Sequence, residues 1–303
     1  MSGKEIVEKL SLEEVGRHFE SLGYKVIKLE QPWRHMTGLV KFENEKLFVK
    51  MATTAGIGER TKNETAWNRN MNSVWNKYAT TFKSPKPFDE GYFQDRYWFV
   101  GEYVFGKPLV GVTDNNTNIS DKDLERAAGI ANNLLELSKM VLLPKDVEHF
   151  KEVWQERILQ VATGWSKSIK GSTKKLLQFI EVNRKEIDIA ASHGDFTPWN
   201  IMKTKAGQYY LIDAEAAQMA GLMYYDVAYF YHRVYTKLKR PDLAEKFLNI
   251  YKEISKWTEK NDKEFAPVLA SRIMGGYFDA ERDGVTNEEL NRQLEVKLLA
   301  GEI

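Results

Sequence analysis

The sequence predicts an α+β protein in two lobes. Residues 1–105 form a small antiparallel-sheet lobe with one long helix, and residues 106–303 form a mostly helical lobe. Three observations lead there. Short strand patterns crowd the first third of the chain. Helical periodicity dominates from Ser120 onward, and one polar hairpin around Gly207 interrupts the helical run.

Ser11-Leu12-Glu13-Glu14 has the form of a capping box, and Val15, Phe19 and Leu22 follow at helical spacing, so a first helix ends near Gly23. Tyr24 to Leu29 alternates as a strand, which Gln31-Pro32-Trp33-Arg34-His35-Met36-Thr37-Gly38 breaks. Leu39 to Phe42 and Leu47 to Met51 are strands joined by the turn Glu43-Asn44-Glu45-Lys46. A long helix spans Gly58 to Tyr78, and strands follow at Thr81-Phe82 and Tyr97 to Val104. Helices are expected over Asp121 to Met140, His149 to Ser166 and Ser172 to Asn183. After the hairpin they return over Tyr225 to Lys237, Pro241 to Lys260, from Phe265 onward, and over Asn287 to Leu299.

The chain has 303 residues, 43% of them hydrophobic and 12% aromatic, enough for a substantial core. Forty-four basic against 43 acidic residues leave a net charge of +1, without the basic excess that nucleic-acid binding shows. The chain lacks cysteine, which excludes disulfides and thiolate metal sites. The charged N-terminus is not a secretory signal, and no apolar run approaches the ~20 residues of a membrane span. A cytoplasmic protein with no membrane or nucleic-acid partner is expected; its oligomeric state is not legible.

The densest chemistry lies in His193-Gly194-Asp195-Phe196-Thr197-Pro198-Trp199-Asn200 and in Leu211-Ile212-Asp213-Ala214-Glu215. Ile201 to Thr204 and Gln208 to Ile212 read as hairpin arms around Lys205-Ala206-Gly207. If the arms pair, Asn200 lies opposite Ile212 and beside Asp213, so an amide oxygen and a carboxylate face one space suited to Mg²⁺. Asp195, at the mouth of the loop, is placed to accept a proton from a hydroxyl. Glu215 either joins the metal shell or solvates its rim. Asp226 reads as a helix N-cap that also braces the loop, and His193 as a structural hydrogen-bonding residue.

Phosphoryl transfer also needs a cation on the phosphates and a seat for the nucleotide. Lys50, near the end of an apolar strand, is costly there unless paired or facing a ligand. Its expected anion is Glu64 rather than Glu59, which lies in the first helical turn. In Gly101-Glu102-Tyr103-Val104-Phe105-Gly106, the Glu102 carbonyl and the Val104 N–H would meet an adenine edge. Arg34 to Gly38 holds a single glycine, so Gly38 or the Thr37 hydroxyl touches phosphate, or the segment is a plain turn.

These residues resemble the aminoglycoside phosphotransferase and choline kinase superfamily, which has the protein-kinase-like bilobal fold. The His-x-Asp-(four residues)-Asn loop is similar to His193, Asp195 and Asn200, the Ile-Asp-x-Glu strand to Ile212, Asp213 and Glu215, and Asp-Leu-Ala to Asp226-Val227-Ala228. The resemblance implies Asp195 as base, Asn200 and Asp213 as magnesium ligands, and Lys50 with Glu64 ordering the nucleotide phosphates. Only Ala216 to Tyr225 separates Glu215 from Asp226, too little for the activation segment of a protein kinase.

The expected activity is transfer of the γ-phosphate of ATP or GTP to a hydroxyl of a metabolite or antibiotic. The alternatives are a kinase-like nucleotide-binding module without transfer and, with less support, a protein kinase. For the acceptor, Asp279, Glu281, Asp283, Glu288 and Glu289 read as a solvated face or as a lining for a cationic substrate. The tryptophans at 154, 165 and 257 read as core or as a cage for a quaternary ammonium.

Overall fold

A computed structural model describes residues 8–75, 81–111, 117–141, 144–284 and 288–303. The chain divides into two compact units. The first is Met1–Lys107 with Met202–Ala217, and the second is Pro108–Ile201 with Gln218–Ile303. Among the described residues no helix is long and apolar enough to cross a membrane.

The first unit opens with α1 (Leu12–Ser21), whose N-cap Ser11 accepts the Glu14 N–H at 3.3 Å. Next come β1 (Lys25–Glu30), β2 (His35–Phe42), β3 (Glu45–Ala52), α2 (Ala55–Trp75), β4 (Pro87–Phe93) and β5 (Arg96–Glu102). The strands form one antiparallel sheet in the order β1-β2-β3-β5-β4. Val15 and Phe19 of α1 pack with Met36, Val40, Leu47, Val49, Met51, Trp98 and Val100 into its core.

The structure corrects three element boundaries here. β2 begins at His35, so the break after β1 is confined to the bend before it, and Gly38 sits inside a strand. α2 starts earlier than Gly58, because Thr54 caps it with its hydroxyl on the Ile57 N–H. The strand expected at Thr81-Phe82 is absent. Lys83 instead bridges to Tyr210, and the edge strand β4 follows. β4 escaped notice because its pairing with β5 slips between Pro87 and Asp89, which spoils the apolar alternation.

The second unit is mainly helical: α3 (Asp121–Val141), α4 (Pro144–Ser166), α5 (Lys174–Asn183), α6 (Tyr225–Thr236), α7 (Pro241–Ile254), α8 (Glu259–Asp283) and α9 (Glu288–Leu299). α8 starts ahead of Phe265 because Thr258 and Asn261 form a capping box, with Asn261 Oδ1 accepting the Thr258 N–H at 2.7 Å. Two short strands unread in the sequence, Ile189–Ser192 and Gln218–Leu222, pair antiparallel within this unit. Of the residues at the hairpin, Thr204 donates to the Gln208 carbonyl at 2.9 Å, and Gly207 turns the chain at φ 79°.

One glycine is fixed by close approach. A Cβ at Gly38 would lie 2.2 Å from the Lys28 carbonyl oxygen, where β1 bulges against β2. Gly38→Ala is expected to destabilise the protein by about 1–3 kcal/mol through overpacking, read from urea denaturation.

His232 is fully buried between α6 and α9, its Nε2 2.8 Å from Asn291 Oδ1. Burial first, then Arg233 and Arg272, hold it well below the usual 6.5 against the pull of Asn291, so the folded imidazole is neutral. The unfolded chain protonates it below that pH, so its stabilising contribution is complete above pH 6.5 and lost as the pH falls below it. The urea midpoint of His232→Gln should therefore fall less between pH 7 and pH 5 than that of the parent.

Candidate active site

The first group of residues belongs to the first unit. β3 alternates, so Leu47, Val49 and Met51 enter the core with α1 while Lys50 turns to the opposite face. There Lys50 is 6% exposed. Its Nζ lies 2.7 Å from Glu64 Oε2, 2.6 Å from Asp213 Oδ1 and 2.6 Å from Glu215 Oε1. An ammonium has three hydrogens to place, and each meets a carboxylate. The expected pairing with Glu64 is present, and Glu59 pairs instead with Lys62 on the surface.

Asp213 adopts φ 63°, a left-handed conformation that aspartate tolerates better than most residues. The turn lets Asp213 and Glu215 reach the same ammonium. Glu215 is 8% exposed, which removes the reading that it solvates a rim. Arg34 donates to its Oε2 at 2.8 Å, and Asn63 donates to the carbonyls of Glu215 and Ala217 at 3.2 and 2.9 Å. His35 Nε2 stands 3.3 Å from Glu215 Oε1 and 3.1 Å from Thr61 Oγ1. Burial, then Lys50 and Arg34, push His35 down to about 3 against the pull of Asp213, so its ring is neutral here. Arg34, His35 and Asn63 carried no motif; a charge and an imidazole opening a half-apolar strand were the available signal.

At bonding distance Lys50 and Arg34 face Glu64, Asp213 and Glu215, two cations against three carboxylates. Burial opposes the Lys50 charge, but Glu64, Asp213 and Glu215 together outweigh it and raise its pKa. Burial raises Glu64 to about 7 against the pull of Lys50, and Asp213 adds to the rise. Oxygens of Glu64, Asp213 and Glu215 lie within 4.8 Å of one another, a hard donor set that fits a divalent cation such as Mg²⁺.

The second group belongs to the second unit. Asn200 Nδ2 donates to the Asp195 carbonyl and to Asp195 Oδ2, each at 2.9 Å, which leaves the Asn200 amide oxygen unengaged among the described residues. Asp195 is half-buried and Asn200 buried. The loop is anchored from α6: Asp226 accepts the N–H of His193 at 2.6 Å and of Gly194 at 2.9 Å. Tyr224, not Asp226, is the N-cap of α6, so Asp226 acts as a brace alone. Burial raises its carboxyl to about 7, the two N–H donors pull it down, and Asp195 adds to the rise. His193 is fully buried.

The remaining expected residues are placed as follows. Glu102 accepts the Tyr210 hydroxyl at 2.8 Å, and the Val104 carbonyl accepts the Gly106 N–H at 2.9 Å. Gly38 lies in mid-strand, and packing against β1 accounts for its missing side chain. The acids near the C-terminus already have cations. Asp279 pairs with Arg233 and Arg282, Asp283 with Arg282, Glu281 with Lys170, and Glu289 with Arg292; the Glu288 side chain lies outside the described residues. The tryptophans form no cage. Trp154 donates to the Ala220 carbonyl, Trp165 stacks on Phe278, and Trp257 packs with Tyr224, Tyr251 and Phe265.

The sequence profile of the phosphotransferase enzyme family matches residues 44–262, more than half of the chain. No curated protein matches the chain by sequence. Solved structures resemble it over nearly its whole length. A thermostable mutant of aminoglycoside phosphotransferase APH(4)-Ia, in ternary complex with ADP and hygromycin B, is 12% identical with a TM-score of 0.61, over 95% of this chain and 96% of its own. Choline kinase LicA from Streptococcus pneumoniae is 14% identical with a TM-score of 0.60, over 95% and 99%. A microcompartment-associated aminopropanol kinase is 11% identical with a TM-score of 0.62, over 96% and 98%. At these identities what is shared is the fold, the α+β protein-kinase-like fold with a small antiparallel sheet and a helical C-terminal region.

Lys50→Met would leave Glu64 and Glu215 buried beside Asp213 without their ammonium. The expected loss is about 3–5 kcal/mol of stability at pH 7, measured by chemical denaturation. The loss should shrink at pH 5, where crowded carboxylates without a cation take up protons.

Proposed function

The chain belongs to the phosphotransferase enzyme family, and on that footing we propose that it is a small-molecule kinase. It would move the γ-phosphoryl group of ATP or GTP to a hydroxyl of a metabolite or antibiotic. The observation that carries this reading is the buried Lys50 ammonium gripped by Glu64, Asp213 and Glu215. A lysine so held is rigid and fully charged, as a group that orders phosphate oxygens must be. The ADP held by one of the similar structures, and the small acceptors named for the others, support the same reading.

In this proposal the acceptor hydroxyl oxygen attacks the γ-phosphorus, the bond to the bridging β–γ oxygen breaks, and the nucleoside diphosphate leaves. Asp195 takes the hydroxyl proton, its carboxylate oriented by the Asn200 amide. Lys50, kept in place by Glu64, would give the non-transferred phosphates the hydrogens it now directs to Asp213 and Glu215. The Asn200 amide oxygen, Asp213 and Glu215 are the ligands that would hold Mg²⁺, which when bound neutralises phosphate charge. The Glu102 carbonyl and the Val104 N–H would receive the adenine edge. Gly38 is left out of this set, since packing explains it. The short link from Glu215 to Asp226 offers no platform for a peptide, which favours a small acceptor.

The acceptor is to be sought by pairing aminoglycosides, macrolides, choline, amino alcohols and sugars with ATP and GTP. Asp195→Asn should then lower kcat about 10²–10⁴-fold while nucleotide Kd is unchanged. Near-normal turnover in that variant would sink the assignment. Tight nucleotide binding with no transfer across the panel would point to a binding module.

A further inference from the structure

The second unit buries a cation to which no carboxylate among the described residues comes within ion-pair distance. Arg272, on α8, is 5% exposed. Its Nη1 donates to the Tyr225 hydroxyl at 3.2 Å, and its guanidinium lies 4.2 Å from the centre of the Tyr229 ring. The buried Nε meets no acceptor among the described residues. Neighbouring arginines differ: Arg233 has Asp279 at 2.7 Å, and Arg282 has Asp279 and Asp283. Among the described residues Arg272 has no carboxylate within ion-pair distance, so only a tyrosine hydroxyl and the faces of Tyr225 and Tyr229 balance it. Such contacts compensate a desolvated charge poorly beside a carboxylate.

Its position gives this imbalance a use. Tyr225, Tyr229 and Arg233 recur at four-residue spacing along α6 and so share one helix face. The same helix is fastened to the Asp195 loop. Asp226 holds the His193 and Gly194 N–H groups, Phe230 lies 5.6 Å from Phe196, and Lys237 Nζ sits 4.8 Å above Trp199. Burial, then the Asp195 charge, push the Tyr229 hydroxyl up to about 12 against the pull of Arg233 and Arg272. The acids that would suit a cationic acceptor are meanwhile already paired.

We propose that the acceptor carries, besides its hydroxyl, a compact oxyanion received by Arg272, so that the substrate is an acidic small molecule. A guanidinium fork fits a carboxylate or a phosphate ester equally, with two parallel hydrogen bonds. The proposal takes its reaction from the kinase reading, but its test concerns binding alone, so either can fail without the other.

The full chain without nucleotide is titrated with malonate, with inorganic phosphate and with chloride at constant ionic strength, while its unfolding temperature is followed. A saturable rise is expected with malonate or phosphate and not with chloride. Response to malonate alone assigns a carboxylate acceptor, and response to phosphate alone a phosphate ester. Arg272→Met should lose the saturable response. Without anion it should unfold no earlier than the parent, because a poorly compensated buried charge has given way to an apolar chain of similar length. Arg272→Lys keeps the charge without the fork and should bind the same anion about tenfold more weakly. No saturable response to either anion, or an equal response in Arg272→Met, overturns the proposal.

Discussion

A buried ammonium cannot stand without counter-charges, and Lys50 has gathered three. That requirement orders the first unit. β3 must turn Lys50 away from the α1 core, α2 must present Glu64, and the segment after the strand Tyr209–Leu211 must turn through a left-handed aspartate to bring Asp213 and Glu215 to the same nitrogen. Surface pairs such as Arg17–Glu13 are worth about 0–1 kcal/mol and could vanish without consequence. The Lys50 cluster differs because Lys50, Glu64 and Glu215 have left water behind, and the Arg34 and Asn63 contacts hold Glu215 and its neighbouring backbone in place.

The second unit solves a different problem, that of fixing a loop. α6 does so with charge at its start, where the Asp226 carboxylate takes two backbone N–H groups, and with aromatic packing a turn later, where Phe230 meets Phe196. The loop that carries Asp195 and Asn200 is therefore held by its main chain. Their side chains meet each other, Asn200 Nδ2 donating to Asp195 Oδ2 at 2.9 Å. The same helix carries Tyr225, Tyr229 and Arg233, so the residues beside Arg272 and the brace of the loop lie on one rigid rod.

Much of this was legible from residues alone, for physical reasons that differ element by element. The hairpin announced itself through Gly207, whose positive φ only glycine adopts freely, and Lys50 through the cost of a charge in an apolar strand. Glu64 was preferred to Glu59 by placing Glu59 in a first turn near Gly58; α2 begins at Ala55, so Glu59 lies beyond that turn, and what separates the two is that Glu64 meets Lys50 while Glu59 meets Lys62. Strands that pair far along the chain were invisible: Ile189–Ser192 finds its partner at Gln218–Leu222, and neither is long enough to show a period. Arg34, His35 and Arg272 were missed for a related reason. Their meaning depends on what they meet, and a sequence shows a buried arginine and a solvated one alike.

The division of the chain gives the Lys50 cluster a history as well as a geometry. Residues 202–217 belong to the same compact unit as the first 107, although the intervening segment builds much of the other unit. During synthesis the sheet and α2 emerge long before Asp213 and Glu215 exist. Until then Lys50 has Glu64 alone, and a fragment ending at Lys107 would never acquire the rest. The first unit is thus begun first and completed late, and its interior charge balance is a reason for the two halves of the chain to finish folding together.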